Sequence, residues 1–447
     1  MSARAAHQAR GARGARGART TRKAPGPAFD ALAVRPFRRY LLGQLTSNVG
    51  TWMQRAAQDL LVLHLTGNSG SAVGVVTALQ FLPQTLFGLT GGVLADRYPK
   101  RRLLLITQTS MAGQSLLLGL LTITGAVNLW AVYALALSLG IATAVDSPAR
   151  NAFVSELVGR DRVPAAVSLN SAQFNVARVL GPAAAGLTVA AMGIGPVFLV
   201  NGVSYAAVLY GLLTPAAAHE CGGPPRGAPR LAEAFRHITA TGELLLPIAL
   251  IAVVGTFGLN FQVTVSLMAV KVFHSDAAAF GYLSAAYATG SLAGALRTAH
   301  AGRTPTARRL VTATAVFGVL ESALALMPGY GTFMALLLPT GYLAVTVTTT
   351  ANALTQLHAA PRLRGRVLSV YFLVLLGGTP LGAPLVGWTS DTLGPRSTLL
   401  LGGLLSTLAS LTIPAMVTAH RRPARRELPA GPLSDRPSPN ASGTAPS

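Results

Sequence analysis

Apolar windows of about twenty residues recur along this chain, each closed by a short cluster of polar, glycine or charged positions. A run of that length makes a helix able to cross a hydrocarbon core of about 30 Å. The pattern predicts twelve spans, at roughly 38–65, 72–94, 103–124, 128–146, 166–191, 196–214, 244–270, 278–298, 309–327, 331–354, 367–390 and 396–417. The short alternating segments of a membrane β-barrel do not appear. The expected fold is an all-α polytopic membrane protein. Its clearest hairpin is Gly91–Leu103, where Asp96, Arg97, Lys100, Arg101 and Arg102 sit between two apolar runs.

The same pattern divides the chain. Residues 1–35 form a basic tail, 36–214 a first six-helix bundle, 215–243 a polar linker with Gly222-Gly223-Pro224-Pro225, 244–417 a second bundle, and 418–447 a second tail. Shifted by 201 positions, Leu180-Gly181, Gly186, Thr188, Gly193 and Gly202 fall on Leu381-Gly382, Gly387, Thr389, Gly394 and Gly403. This glycine spacing points to a duplicated unit, a plan common among transporters. Both tails lack an apolar face to bury and are expected to be disordered.

Composition supports the membrane reading: 51% of residues are hydrophobic and 11% charged, against about a quarter charged in soluble domains. The net charge of +22 invites a nucleic-acid reading, but its distribution argues otherwise. With the N-terminus inside, 32 of the 36 lysines and arginines fall in inward loops and tails. That asymmetry places both termini in the cytoplasm and leaves no case for nucleic-acid binding by the body of the protein. Cys221 is the only cysteine, so no intramolecular disulfide can form. Nothing before Tyr40 has the pattern of a signal peptide. Arginine outnumbers lysine 33 to 3, which suggests GC-rich bacterial coding. The Arg-Gly-Ala repeats of the N-terminal tail either attract anionic headgroups or are dispensable. The Asn440 sequon is discounted in a cytoplasmic tail.

Candidate chemistry concentrates in the first span. Gln44, Ser47, Asn48, Thr51, Gln54, Arg55, Gln58 and Asp59 recur at steps of three and four, a stripe that lipid would not tolerate. Arg55 and Asp59 lie one turn apart and can pair. They read either as a substrate- or proton-handling site or as a self-satisfied pair locking the helix. Arg178 and Glu321 add one cation and one carboxylate at membrane depth. Asp59 is the preferred coupling group, with Arg55, Arg178 and Glu321 as further candidates. No metal cluster, Walker loop or nucleophile constellation appears, so neither an enzyme nor direct ATP coupling is expected.

The loop Gly92-Val93-Leu94-Ala95-Asp96-Arg97-Tyr98-Pro99-Lys100-Arg101 resembles the motif between helices two and three of the major facilitator superfamily. Supporting matches are Ser147-Pro148-Ala149-Arg150, Leu180-Gly181-Pro182 and Arg364-Gly365-Arg366-Val367-Leu368-Ser369. Over about 36–417 the chain is similar to twelve-helix bacterial drug and siderophore exporters. Two departures stand out: Pro99 replaces a usual glycine, and the fourth span lacks a membrane arginine.

The resemblance implies two pseudo-symmetric six-helix bundles. It also implies a gating loop of Gly92, Asp96, Arg97, Lys100 and Arg101, in which Asp96 docks on the N-terminus of the eleventh span near Arg366. Gly92 would allow close backbone approach. First and fifth spans would be neighbours, so that Arg55 and Arg178 share Asp59, and the ninth span, with Glu321, peripheral. Asn48, Thr51 and Gln58 would line the cavity from one half and Asn260, Gln262 and Asn352 from the other.

The expectation is a monomeric, multi-pass exporter of the bacterial cytoplasmic membrane, carrying a small lipophilic or amphipathic compound. It would run on the proton gradient without a cofactor, in contact with membrane lipids. The alternatives are gradient-driven uptake and a transport-inactive receptor or scaffold.

Overall fold

The computed structural model describes residues 30–213, 231–300, 305–360 and 362–421. The Arg-Gly-Ala repeats, Cys221, Gly222–Pro225, Arg226, Arg230, Arg303 and the Asn440 sequon lie outside them, as do most of both tails. The first half comprises α1 (Arg35–Leu65), α2 (Gly70–Arg97), α3 (Lys100–Ile123), α4 (Leu129–Val158), α5 (Val163–Met192) and α6 (Ile194–Leu213). A short helix, α7 (Leu231–Ala240), precedes the second half. There α8 (Gly242–Val253) and α9 (Phe261–Leu267) form one broken span, followed by α10 (Ala277–His300), α11 (Ala307–Ala325), α12 (Tyr330–His358), α13 (Arg364–Leu393) and α14 (Pro395–Arg421).

Among the described residues there are no strands, and nine of the long helices are apolar enough to cross a membrane. The other three are α1 with its polar stripe, the alanine- and glycine-rich α10, and α11 with Arg308, Arg309 and Glu321.

Local chemistry sets the helix ends. Side chains of Ser69, Asn128 and Thr306 accept from backbone N–H groups at the starts of α2, α4 and α11, satisfying donors that helix geometry leaves free. Tyr98 is extended ahead of Pro99, because a residue preceding proline is pushed out of the helical region. The charged hairpin is therefore tighter than expected: Asp96 and Arg97 close α2, and Lys100 opens α3.

Two spans depart from the sequence pattern. The fourth continues through Pro148 to Val158, well beyond its expected end at 146. The seventh breaks at Leu259–Asn260, flanked by π-helical turns at Val254–Gly258 and Met268–Val272. Such turns recur at functional sites.

Register-related glycines do matching work in the two halves. Gly193 and Gly394 end α5 and α13 at φ +85° and +88°, where the absence of a side chain removes the strain of the left-handed region. Gly181 packs on Trp52 of α1, and Gly382 on Thr256 of the seventh span. Gly202 packs on Leu116 of α3, and Gly403 on Ser322 of α11. Gly186 and Gly387 leave no room for a Cβ against Gly281 of α10 and Gly70 of α2.

These last two contacts belong to the seams joining the halves, α5 with α10 and α2 with α13. Both lie toward the end opposite the Arg97–Arg102 hairpin. Among the described residues every hydrogen bond between halves also lies there: Ser69, Gly70 and Ser71 to Asp391, and Gln262 to Asp59. Among the described residues, none of these bonds between halves lies at the basic end.

Candidate functional site

Helix α1 is embedded in the first half, and its polar residues reach in several directions. Asn48 donates to Gln173 of α5 at 3.0 Å, and Thr51 bonds Tyr205 of α6 at 2.9 Å. Gln54 meets Gln114 of α3 at 3.3 Å and accepts from Asn201 of α6 at 2.6 Å. Gln58 accepts from Gln80 of α2 at 3.1 Å. The stripe was expected to face a bundle interior or a wet cavity. The structure gives it mainly the former role, as polar joints between helices.

Asp59 reaches across to the other half. It is fully buried, and its Oδ2 accepts from Gln262 Nε2 at 2.9 Å. Oδ1 has no partner. Gln262 owes its place to the break in the seventh span, since it follows Asn260, whose Nδ2 donates back to the Thr256 carbonyl at 2.6 Å. Arg55 forms no ion pair with Asp59. Its guanidinium lies between the rings of Trp52 and Phe81, at 4.9 and 4.4 Å from their centroids. The anticipated Arg55–Asp59–Arg178 sharing is thus replaced by ring stacking and an amide bond, although α1 and α5 are neighbours.

Arg178 is exposed and, among the described residues, has no carboxylate within ion-pair distance. Glu321 is buried apart from these groups, with Oε2 unpartnered. Glycines make room for it: a Cβ on Gly258 would lie 3.1 Å from Oε2, and one on Gly402 2.7 Å from Oε1.

The largest omission from the sequence reading is Asp146 and Arg150. Arg150 was assigned to a loop and the fourth span was held to lack an arginine. Because α4 continues through Pro148, the two residues face each other one turn apart as a buried ion pair. Thr107 and Gln108 of α3 donate to Asp146 Oδ1 at 3.0 and 2.7 Å. Arg150 also donates to Asn48 Oδ1 of α1 at 3.2 Å. The four-residue spacing was visible, but the span was expected to end at 146, ahead of Pro148 and Arg150.

At the basic end, Asp96 and Arg97 are exposed and make no hydrogen bond or ion pair among the described residues. Lys100 pairs with Glu156 at 3.2 Å, and Arg101 donates to the Leu213 carbonyl at 2.9 Å. Arg366, the expected neighbour of Asp96, instead pairs with Glu233 of α7 at 2.5 Å, as does Arg362 at 3.1 Å. Gly92 faces open space. The close approach belongs to Gly91, which packs on the Ala144 carbonyl and Pro148.

At the other end Asp391 of α13 accepts from the Gly70 and Ser71 N–H groups at 2.7 and 2.8 Å, and from Lys271 at 2.9 Å. In the second half Thr346, Thr348 and Thr349 donate to carbonyls of their own helix. Asn352 accepts from Gln356 and borders an open depression of about 470 Å³ with Thr349 and Arg364, away from Asp59.

Residues 27–434 match the model of the family described as transmembrane secretion effector. The chain belongs to that family. It is a transporter of the major facilitator superfamily. Similar curated proteins include the multidrug efflux pump Tap of Mycobacterium tuberculosis, 26% identical over 88% of this chain and 95% of that protein. The enterobactin exporter EntS of Citrobacter koseri is 25% identical over 86% of this chain and 92% of its own length. The staphyloferrin A transporter of Staphylococcus aureus is 30% identical over 35% of this chain and 40% of its own length. Among solved structures, the nucleoside transporter NupG superposes with a TM-score of 0.68 at 14% identity, over 86% of this chain and 99% of NupG. The fold and membrane assignments of this family member therefore stand on both sequence and shape.

Proposed function

We propose that this transporter exports a small lipophilic or amphipathic compound by proton antiport, alternating between states open at either end, with its basic end in the cytoplasm. The observation that carries the reading is the Asp59–Gln262 bond. Among the described residues it is, with the Ser69–Asp391 bond, one of two side-chain-to-side-chain hydrogen bonds between the halves, and the one whose carboxyl group is fully buried. A carboxyl group at the joint of two rocking bundles is exposed to one side and then the other, as coupling requires. In the cycle proposed, Asp59 takes a proton from outside in the outward-open state and releases it to the cytoplasm as the compound enters the inward-open cleft. In that cycle the Gln262 bond belongs to the inward-open state. Asp96 would dock on the N-terminus of α13, at Arg366, when the basic end closes, since a helix N-terminus favours a carboxylate. Export is favoured over uptake by the relatives named as an efflux pump and an exporter.

The buried Asp146–Arg150 pair supports a second choice of coupling group within the same reading. Accumulation of amphipathic dyes of both charges in everted vesicles, under an imposed pH gradient, decides. Asp59→Asn is expected to cut gradient-driven accumulation at least about ten-fold and to leave passive exchange intact. Loss in Asp146→Asn with wild-type pumping in Asp59→Asn would move the role to Asp146. Reversed pumping would make the protein an importer, and no transport of any solute a scaffold.

A further inference from the structure

Arg178 sits at the midpoint of α5 (Val163–Met192), about 22 Å from its basic end at 1.5 Å per residue. The packing of α5 shows which way it faces. Gln173 and Gly181 turn one side of the helix to α1, through Asn48 and Trp52. Ala183 and Gly186 turn another side to α10, through Gly281. At 3.6 residues per turn, Phe174 and Arg178 fall in the sector between those sides, one above the other. That sector also holds the exposed Ser171 and Asn175, and such a polar face belongs between the halves rather than against lipid. Leu180 and Leu187 occupy the opposite, exposed flank.

Three observations describe what surrounds the guanidinium. Phe174, 41% exposed, meets Trp52 edge to face, with centroids 5.9 Å apart and planes at 70°. Tyr287 of α10 lies within electrostatic reach of Arg178. The carboxyl groups that share its depth are engaged or enclosed elsewhere: Asp59 with Gln262, Asp146 with Arg150, and Glu321 buried among glycines. Arg55, by contrast, is covered by two rings. Arg178 is therefore the spanning arginine left open between the halves, and a lone cation at membrane depth is costly. A guanidinium presents a planar fork of donors matched to a carboxylate or similar anion.

We infer that Arg178 anchors an anionic group of the substrate, and that Phe174 with Trp52 supports its aromatic or apolar body. This narrows the substrate of the proposed exporter to amphipathic anions. It rests on that reading for the word substrate, but its test is a binding measurement that needs no transport.

Equilibrium dialysis of the purified full chain with radiolabelled 1-naphthoate and its neutral isostere 1-naphthamide separates charge from shape. Wild type is expected to prefer the carboxylate about ten-fold, the scale of one hydrogen bond to a charged group. Arg178→Gln should erase that preference and keep naphthamide affinity within about two-fold, which also reports a folded site. Arg178→Lys should retain part of the preference, and Phe174→Ala should weaken both probes alike. Equal binding of the two probes by wild type, or binding of neither, overturns the assignment. So does a preference that survives in Arg178→Gln. Should the Gln variant lose both probes, Arg178→Lys decides: a preference equal to wild type or inverted would count against the anchor.

Discussion

The two halves differ in how their buried polar side chains are used. In the first, amides and carboxylates join different helices: Gln54 to Gln114 and Asn201, Asn48 to Gln173, Thr107 and Gln108 to Asp146. In the second, the hydroxyls of Thr264, Thr314, Thr340, Thr346, Thr349 and Thr355 each donate to a carbonyl four residues earlier. Its helices are joined by apolar packing and glycine contacts, and it contains the broken seventh span with two π turns. One half is tied internally by bonds between buried side chains; in the other, the cross-helix bonds of Ser291, Tyr330, Tyr371 and Arg396 run to backbone carbonyls, and the broken span gives it a built-in place to bend. On the rocking cycle proposed above, the first half would move as a block and the second would absorb the deformation around Asn260.

The sharpest way to break this comparison is at Asp146. Its side chain is fully buried and that of Arg150 only 12% exposed. Removing one member of such a pair strands the other, at a cost of about 3–5 kcal/mol. Asp146→Ala should therefore lower the thermal midpoint of the detergent-purified protein sharply and reduce its folded yield. A midpoint within a degree or two of wild type would mean that the first half does not depend on its charges.

Legibility from sequence follows the same division. Twelve helical segments, the glycine repeat and the polar character of α1 could be read because apolar length and spacing are local properties. The Arg150 assignment failed because the apolar run fades near residue 146, whereas the helix continues through Pro148, a residue that neighbours in a membrane bundle allow within a span. The Arg55–Asp59 pairing failed for a different reason. Proximity along a helix allows a pair, but Trp52 and Phe81 compete for the guanidinium, and Phe81 comes from another helix. Asp391 carried no signal at all, because its partners Gly70, Ser71 and Lys271 are remote in the chain. The threonine run on α12 bonds within its own helix, as hydroxyls in helices commonly do.

A smaller effect is expected at the closed seam. Asp391 caps α2 from the other half while pairing with Lys271, and both side chains are about one quarter exposed, at 26% and 22%. Asparagine keeps an acceptor but loses the charge that complements the helix end, worth about 0.5–1 kcal/mol at such a site. On the proposed cycle, Asp391→Asn should shift the balance between the two open states about two- to five-fold toward opening at the Asp391 end. Distances between spin labels on α2 and α13 near that end would show the shift. An unchanged distribution would place the hold of this seam in its glycine contacts instead.

The smallest effect is expected where the comparison assigns a polar group no partner on another helix. Thr349 Oγ1 donates to the Val345 carbonyl at 2.7 Å within α12. That carbonyl is already part of the helix ladder, so the hydroxyl adds a second, local bond that bends the helix slightly without joining it to a neighbour. Valine matches threonine in shape and branching, and replacing both members of a local bond by apolar contact is close to neutral. Thr349→Val should change stability by less than about 0.5 kcal/mol and leave dye transport near wild type. A loss approaching that of Asp146→Ala would show that the Thr349 hydroxyl joins α12 to a neighbour, and the contrast between the halves would fail at its simplest point.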